Sequence, residues 1–320
     1  MKTFLIAEND ANQRLDKFLT KAVPNLPQAL LYKYIRTKRI KVNGGRADIA
    51  LRLQAGDSVA LYIADDFFAP RADGLDFLSA PRTLSVLYED ENLLVLNKPA
   101  GLLSHADDLE FTDTLIARTL RYLCEKGDYD PAREQSFTPA LVNRIDRNTA
   151  GIVLAAKNAE ALRILNQKMR EREIKKYYLC IVHGRFTKQE ATLRSWLEKD
   201  GASNTGRVFS KEGAGRKEIQ TRYRVLGERG GLSLLEVALL TGRTHQIRAH
   251  LASVGHPLLG DGKYGSNERN KKLGYKRQLL CSYRTVFEFQ TDAGMLQYLN
   301  QRSFEVPDVW FVEAFYGGEL

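Results

Sequence analysis

Three charged side chains lie within four residues directly before an apolar run: Arg144, Asp146 and Arg147. The run at 152–156 is short and β-branched, which is typical of a buried strand. Charge placed directly before a buried strand lies at the rim of a core, where clefts form. The flanking arginines favour an ionised Asp146, which could serve as a nucleophile or a base. The same pattern also fits a structural ion pair on a loop.

The segment around this aspartate resembles a known signature. Residues 143–151 read Asn-Arg-Ile-Asp-Arg-Asn-Thr-Ala-Gly. This is similar to the His-Arg-Leu-Asp-Arg-x-Thr-Ser-Gly signature of the RluA-type pseudouridine synthases. Asn143 stands where His is usual and Ala150 where Ser is usual, which affects only the expected local hydrogen bonding. The Arg-x-Asp-Arg-x-Thr core and Gly151 are intact, so the resemblance implies that Asp146 is catalytic.

Three further segments resemble motifs of this family and follow one another in the family's order. Residues 97–102 read Asn-Lys-Pro-Ala-Gly-Leu, and residues 176–184 match Lys-x-Tyr-x-Ala-x-Val-x-Gly with Cys at the Ala position. Residues 242–251 read Gly-Arg-Thr-His-Gln-Ile-Arg-Ala-His-Leu, and the match continues to Gly265. The resemblance covers about residues 84–290.

Two of these motifs also have ordinary structural explanations. A Pro-Ala-Gly turn is a common way to leave a strand, and Tyr178 could simply be half-buried on a sheet. The resemblance instead makes Lys98 and Pro99 scaffold for the active-site loop and places Tyr178 on the active-site face.

The resemblance implies isomerisation of uridine to pseudouridine within RNA, after the base has left the helix. We expect Arg248 to pair with Asp146, because a buried charge needs a partner. Tyr178 is expected to stack on the uracil and to move the C5 proton, and Arg144 to fill the gap left by the flipped base. The remaining predicted substrate-binding residues are Lys176, Arg147 and Arg243. Attack on C1′, attack on the ring and abstraction of a sugar proton all remain open.

No cofactor or metal is predicted. The isomerisation neither gains nor loses atoms, so it needs neither ATP nor a redox cofactor. His245, His250 and His256 have the wrong spacing for two ligands on one helical face, and no acid completes a zincin motif. The three scattered cysteines argue against a disulfide framework and against a zinc site.

The overall composition fits a reduced, cytoplasmic protein that binds a polyanion. The net charge is +9, which makes RNA or DNA the first expected partner, although a basic protein can also bind nothing anionic. No segment has the apolar length of a signal peptide or a membrane-spanning helix. We expect a monomer.

The N-terminal residues predict a small module with two helices, at 13–22 and 28–36, and strands at 40–45 and 58–63. It is similar to the alpha-L RNA-binding module of ribosomal proteins. Its second helix and the following hairpin carry basic residues with no acid between the first and the last, which suits contact with several phosphates. A solvated helix face is the alternative. The predicted RNA-binding residues are Lys33, Arg36, Lys38, Arg39, Lys41 and Arg46.

The predicted organisation is an RNA-binding domain at 1–63, a linker at 64–82 and a catalytic domain at 83–320. The predicted fold class is α+β, with a mixed, mainly antiparallel sheet and flanking helices beside a small α/β RNA-binding domain. We predict a helix after Thr244, which would cap it, and a basic loop at 206–217. Parts of the linker are expected to pack on a domain through Phe67, Phe68 and Phe77.

The expected target is large-subunit ribosomal RNA, with transfer RNA as an alternative. A non-catalytic RNA-binding assembly factor is a second hypothesis. A hydrolase that acts on another glycosidic bond is a third, but the sequence offers it no clear second catalytic carboxylate.

Overall fold

A computed structural model describes residues 1–69, 76–108, 110–201 and 205–320 of this chain. The predicted linker falls partly on residues 70–75, which include Asp73 and lie outside the described residues. On either side of that gap, Phe67 and Phe68 pack against an N-terminal core, and Phe77 is buried in a different core. The described parts of the linker therefore pack on the folded units, as the sequence predicted.

The first 63 residues fold around a core of their own. The apolar side chains of two amphipathic helices, including Leu15, Phe18, Leu31 and Ile35, are buried against a four-stranded sheet. The strand order is β1-β4-β2-β3, and all its pairings are antiparallel. The elements are β1 (Lys2–Leu5), α1 (Leu15–Ala22), α2 (Gln28–Arg36), β2 (Ile40–Val42), β3 (Gly45–Arg46) and β4 (Ser58–Leu61).

The remainder of the chain builds one large sheet and the helices on its faces. Its elements are β5 (Val86–Glu89), β6 (Leu93–Lys98), α3 (Leu115–Lys126), β7 (Ala140–Leu141), β8 (Ala150–Ala156), α4 (Ala159–Arg170), β9 (Ile174–His183), β10 (Glu190–Asp200), β11 (Thr205–Phe209), β12 (Lys217–Arg229), β13 (Leu232–Leu239), α5 (Gln246–Ser253), α6 (Asn267–Lys272), β14 (Leu280–Phe287), β15 (Ser303–Glu305) and α7 (Trp310–Gly317).

The strand order of the large sheet is β11-β10-β12-β13-β9-β14-β8-β6-β5, with β15 beside β14 and β7 beside β8. Among the described strands, only β8 and β14 pair in parallel, through Ala150 with Cys281 and Gly151 with Ser282. The predicted α+β class, with a mixed and mainly antiparallel sheet, is confirmed.

Successive side chains of a strand point to opposite faces of the sheet. Each face of the large sheet therefore packs against its own apolar core. On β9, Tyr178 and Cys180 face the layer that holds α3 and α5. Leu179 and Ile181 face the opposite layer, which holds α4 and α7. Tyr178 therefore lies on the same side of the sheet as α5.

Two local predictions were wrong. The predicted loop at 206–217 begins with a strand, because β11 pairs antiparallel with the end of β10 through backbone hydrogen bonds that its glycine does not prevent. Thr244 does not cap α5: His245 occupies that position at φ +55°, without a side-chain cap. The side chain of Gln246 instead turns back to accept the Arg243 backbone N–H at 3.1 Å.

The N-terminal unit contacts the segment that leads into the predicted active-site loop. Gln13 Nε2 donates to Ser136 Oγ at 2.7 Å, and Gln135 Nε2 donates to the Leu5 carbonyl at 2.7 Å. Residues 135 and 136 lie shortly before β7, which precedes Asp146. No helix in the described ranges combines the length and the apolar character that crossing a bilayer requires.

Gly151 allows the one parallel strand pairing. Its φ is +108°, and a Cβ added there would lie 2.2 Å from the carbonyl oxygen of Ser282 on β14. No other residue type can occupy this position without moving one of the two strands. The glycine of the Asp146 signature is therefore required by the contact between β8 and β14.

We predict that Gly151→Ala lowers the free energy of unfolding by at least about 3 kcal/mol, because it combines backbone strain with a main-chain clash. Urea denaturation followed by circular dichroism measures this. Gly127→Ala is the matched control, since Gly127 also has a positive φ of +85° but has no atom within 4 Å of an added Cβ. Its expected loss is about 1 kcal/mol. Equal losses in the two variants would contradict the argument.

Candidate active site

Asp146 lies in the loop between β7 and β8, where a tight turn fixes its backbone. The Thr149 N–H donates to the Asp146 carbonyl at 3.0 Å. Ser104 Oγ donates to the carbonyl of the preceding residue, Ile145, at 3.0 Å. The buried strand β8 anchors one side of this loop, and residues 98–104 support the other. The carboxylate therefore projects from a loop whose main chain is held on both sides.

Lys98 is part of that support. Its side chain is fully buried at the end of β6, and Nζ donates to the carbonyls of Leu102 at 2.7 Å and Arg147 at 3.0 Å. Burial lowers the pKa of Lys98 to about 7, and the negative charge of Asp146 acts in the opposite direction. Its contacts with both segments agree with the expected scaffold role for this lysine.

Arg248 joins two carboxylates. Its Nη1 donates to Asp146 Oδ2 at 3.1 Å, and its Nε and Nη2 donate to the two oxygens of Asp261 at 2.7 and 2.8 Å. Arg248 is 5% exposed and Asp261 is fully buried. The bidentate bond to Asp261 fixes the plane of the guanidinium, and the remaining edge points at Asp146.

The partners of Asp146 differ from those inferred from its neighbours in sequence. Arg147 Nε donates instead to the Gly101 carbonyl at 3.1 Å, and the Arg144 side chain is exposed. Among the described residues, both close partners of the carboxylate contact Oδ2: Arg248, and His245, whose Nε2 lies 3.8 Å away. The charge of Asp146 is thus balanced by a residue 102 positions further along the chain.

A cavity of about 1410 Å³ opens above the carboxylate. This is larger than a typical small-molecule pocket, so it has room for more than one nucleotide. The described residues lining it carry many cations and only two acids, Asp107 and Asp146. The cationic side chains that line it are Arg144, Arg147, Arg170, Arg172, Lys175, Lys176, Lys199, Arg243, Arg248, Lys263 and Lys276. The cavity is therefore suited to a polyanion.

Tyr178 and Lys176 line the cavity from β9, two residues apart and so on the same side of the sheet. Burial raises the pKa of Tyr178 to about 12, and the charge of Asp146 adds to this. Its hydroxyl therefore stays protonated at neutral pH, and the ring presents an apolar face. Burial also lowers the pKa of Lys176.

The predicted substrate-binding residues Arg144, Lys176, Arg147 and Arg243 all line this cavity together with Asp146, Arg248 and Tyr178. The six predicted RNA-binding residues of the N-terminal unit are not among the described residues that line it. Five of them are exposed on α2, β3 and the turns beside them, and Lys41 is half-buried. Any contact they make with RNA lies outside the cavity.

Sequence reasoning missed the role of Asp261. The residue stands in the Gly-Asp-Gly-Lys-Tyr-Gly segment that continues the family resemblance, but no local pattern connected it with Arg248. Asn143 stands where the family signature has His, and its side chain supports the loop. Its Oδ1 accepts the Leu154 N–H of β8 at 2.9 Å. The part of the chain that the structure describes contains no cluster of His, Cys, Asp or Glu able to hold a metal ion.

We predict that Asp261→Asn destabilises the protein by about 3 kcal/mol, because it leaves the buried Arg248 with one carboxylate fewer. Burial raises the pKa of Asp261, but Arg248 and two backbone N–H groups overcome this and hold it below its usual value of 3.8. The stabilisation by Asp261 is therefore complete above that value and is lost as pH falls through the lower folded pKa. Urea denaturation at pH 7 and at several pH values below 4 measures both effects.

Wild type is expected to lose stability more steeply than Asp261→Asn below pH 4. The control is Glu268→Gln, because Glu268 forms an exposed ion pair with Lys272 at 3.3 Å, and such pairs stabilise little. A parallel loss of stability in wild type and Asp261→Asn over this range would contradict the assignment.

Comparisons with known proteins identify the family to which the chain is similar. The RNA pseudouridylate synthase family profile matches residues 92–253. Ribosomal large subunit pseudouridine synthase C of Pasteurella multocida is 34% identical over 90% of this chain and 86% of that protein. The protein of the same name from Haemophilus influenzae is 31% identical over 93% of this chain and 90% of its own length.

Two solved human structures share the fold. RNA pseudouridylate synthase domain containing 1 aligns with a TM-score of 0.55 at 24% identity, over 71% of this chain and 84% of its own. RNA pseudouridylate synthase domain containing 4 aligns with a TM-score of 0.56 at 21% identity, over 72% of this chain and 92% of its own. The sequence relatives and the family profile together establish that this chain belongs to the RNA pseudouridylate synthase family, of the RluA type, and isomerises uridine in RNA.

Proposed function

We propose that the chain converts specific uridines of large-subunit ribosomal RNA to pseudouridine, with the Asp146 carboxylate as the reacting group. The relatives named for the large ribosomal subunit align with 90% and 93% of this chain, which supports this target. The observation that carries the catalytic assignment is the contact of 3.1 Å between Arg248 and Asp146 at the base of a basic cavity.

The cavity supports base flipping. The target uridine has to leave its stack before any group can reach the glycosidic bond. The cations that line the cavity would hold the phosphates around the flipped nucleotide, and Tyr178 offers a buried, uncharged ring against which uracil can stack. Arg144 is exposed at the rim and could fill the gap in the RNA stack.

The two oxygens of Asp146 have different surroundings. Oδ2 is held by Arg248, while Oδ1 has no hydrogen-bond partner among the described residues. We assign Oδ1 as the reacting atom. In the reaction the C1′–N1 bond breaks, the uracil turns and a C1′–C5 bond forms, after which C5 loses a proton and N1 gains one. A carboxylate can begin this sequence as nucleophile or base.

The raised pKa of Tyr178 bears on the last proton transfer. At neutral pH its phenol keeps its proton, so it is a poor acceptor for the C5 proton unless it first gives up its own. The Asp146 carboxylate is a better acceptor for the C5 proton once it has completed the first step of the reaction. We therefore assign stacking to Tyr178 and the C5 proton to Asp146, which revises the role expected for Tyr178 from the sequence.

The N-terminal unit is proposed to bind RNA outside the cavity, and residues 83–320 to carry the catalytic site. The exposed basic residues of α2 and the hairpin support the first assignment. Two of them lie over aromatic rings: Arg39 is 5.5 Å from the Tyr34 ring centre and Lys41 is 5.5 Å from that of Tyr62. We propose that the chain acts as a monomer in the cytoplasm.

We predict that Asp146→Asn lowers kcat by at least about 10³-fold, because an amide can neither attack nor accept a proton. RNA affinity should change by less than about tenfold, since the substitution removes a negative charge from a cation-rich cavity. Pseudouridine formation on ribosomal RNA from a strain lacking the gene, together with filter binding of the same RNA, measures both quantities.

Two outcomes would overturn this assignment. An active Asp146→Asn enzyme would remove Asp146 from the chemistry. If the strain lacking the gene kept every pseudouridine of its ribosomal and transfer RNA, the chain would be a binding-only assembly factor. A position lost from transfer RNA alone would replace the proposed target and leave the chemistry intact.

We predict that replacing Lys38, Arg39 and Lys41 by Ala lowers the slope of log affinity against log salt by about 2, because up to three phosphate contacts are lost. The control variant replaces Arg185, Lys188 and Arg229 by Ala. These residues are exposed near the C-terminal end of β9, whereas Lys176 lies near its N-terminal end, so the slope should stay unaltered. A slope that does not change in the first variant would remove the N-terminal unit from the RNA interface.

A further inference from the structure

His245 and Tyr264 form a pair beside the proposed reacting group that the catalytic assignment does not use. His245 begins α5 at φ +55°, a left-handed conformation that is uncommon for a residue with a side chain. Its side chain is only 9% exposed, and Nε2 points to Asp146 Oδ2 at 3.8 Å. Such backbone strain persists only where the surrounding contacts enforce it, and it is concentrated at functional sites.

The hydrogen bonds of Tyr264 favour one of the two positions for the proton of His245. The Gly206 N–H of β11 donates to the Tyr264 hydroxyl oxygen at 2.7 Å. The hydroxyl hydrogen is then free to be donated to His245 Nδ1, which lies 3.1 Å away. When Nδ1 accepts this bond, the proton of a neutral imidazole is on Nε2, the nitrogen that faces Asp146.

Tyr264 itself is held in place by the pair at the centre of the site. Its backbone N–H donates to Asp261 Oδ1 at 3.2 Å, and its ring centre lies 5.2 Å from the guanidinium carbon of Arg248. Its ring also meets that of His245 edge-on, with centres 5.8 Å apart. Tyr264 is therefore oriented by the same residues that orient Asp146.

The charges around His245 favour the neutral ring. Burial lowers its pKa, and the positive charges of Arg248 and Lys263 act in the same direction, while Asp146 and Asp261 oppose them. Burial also raises the pKa of Tyr264, so its hydroxyl keeps the hydrogen that it donates. At neutral pH the pair consists of a phenol and an uncharged imidazole.

We propose that His245 is a positioning residue, whose Nε2–H donates to Asp146 Oδ2 when RNA fills the cavity and so turns Oδ1 towards the uridine. The distance of 3.8 Å is too long for a hydrogen bond, but a movement of about 1 Å would close it, and catalytic hydrogen bonds commonly tighten when substrate binds. Arg248 and His245 would then hold the same oxygen from two directions.

The backbone of β11 also takes part in this arrangement. Because Gly206 fixes the Tyr264 hydroxyl, the backbone of β11 is linked to Asp146 through Tyr264 and His245. The two ends of this chain of contacts are far apart in sequence, and β11 lies at the edge of the sheet. The position of Tyr264, and with it the hydrogen bond to His245, therefore depends on this edge strand.

The direct test is the tautomer, which can be measured without any activity. The nitrogen-15 chemical shifts of the His245 side chain, assigned by their loss in His245→Gln, report the proton on Nε2 or on Nδ1. We expect the Nε2–H form at pH 7 in the full-length wild-type protein and a mixture of tautomers in Tyr264→Phe. A charged imidazole, or a proton on Nδ1 in wild type, would overturn the proposal.

The kinetic test rests on the proposed function, in which Asp146 is the reacting group. His245→Gly removes the imidazole without backbone strain and should lower kcat by about tenfold, with KM within about threefold. His245→Gln restores an N–H donor and should recover most of this loss. Tyr264→Phe should lower kcat by about fivefold, and the double variant with His245→Gly should be no slower than His245→Gly alone.

The controls separate this role from structure. His256→Gln changes a histidine outside the cavity, whose Nδ1 contacts the His183 carbonyl, and Tyr316→Phe changes an exposed tyrosine; neither should alter kcat. Losses that multiply in the double variant, or no loss in His245→Gly, would overturn the positioning role. An active Asp146→Asn enzyme would instead refute the proposed function and leave the tautomer measurement valid.

Discussion

The guanidinium of Arg248 binds two carboxylates that face it from different parts of the chain. Asp261 takes two of its nitrogens and is completely enclosed, so this bond is made in a medium where ionic hydrogen bonds are strong. Asp146 receives the remaining edge and is partly open to the cavity. One buried ion pair thus fixes the direction in which the partly buried carboxylate of Asp146 is held, and removing Asp261 would remove the bidentate bond that orients Arg248.

The sequence predicted the members of this site better than it predicted their contacts. Asp146, Arg248 and Tyr178 belong to separate motifs, and all three line the same cavity. The contact between Arg248 and Asp146 is the one that the family resemblance implied. Closeness in sequence was misleading, because Arg147 turns to the Gly101 carbonyl, and the bond from Arg248 to Asp261 was not predicted.

The errors in secondary structure have the same origin. β11 is short, basic and contains a glycine, so its local pattern indicated a loop, whereas pairing with β10 makes it a strand. The start of α5 was missed because the side chain of Gln246 replaces the expected cap and leaves His245 in a left-handed conformation. Such features depend on tertiary contacts, and no local propensity reports them. The same holds for the proton of His245, which depends on a backbone N–H in β11.

Among the described strands, the parallel pairing of β8 with β14 separates the large sheet into two sets of strands, and its register comprises two residue pairs. Asp146 precedes β8 on one side of this seam, whereas Tyr178 on β9 and Arg248 on α5 belong to the other. Bringing the two sides together closes a loop of about a hundred residues. The loss of chain entropy opposes this step until the contacts between β8 and β14 have formed. Because both apolar cores of the large sheet contain residues from the two sides, the closure of this long loop also brings Asp146, Tyr178 and Arg248 together.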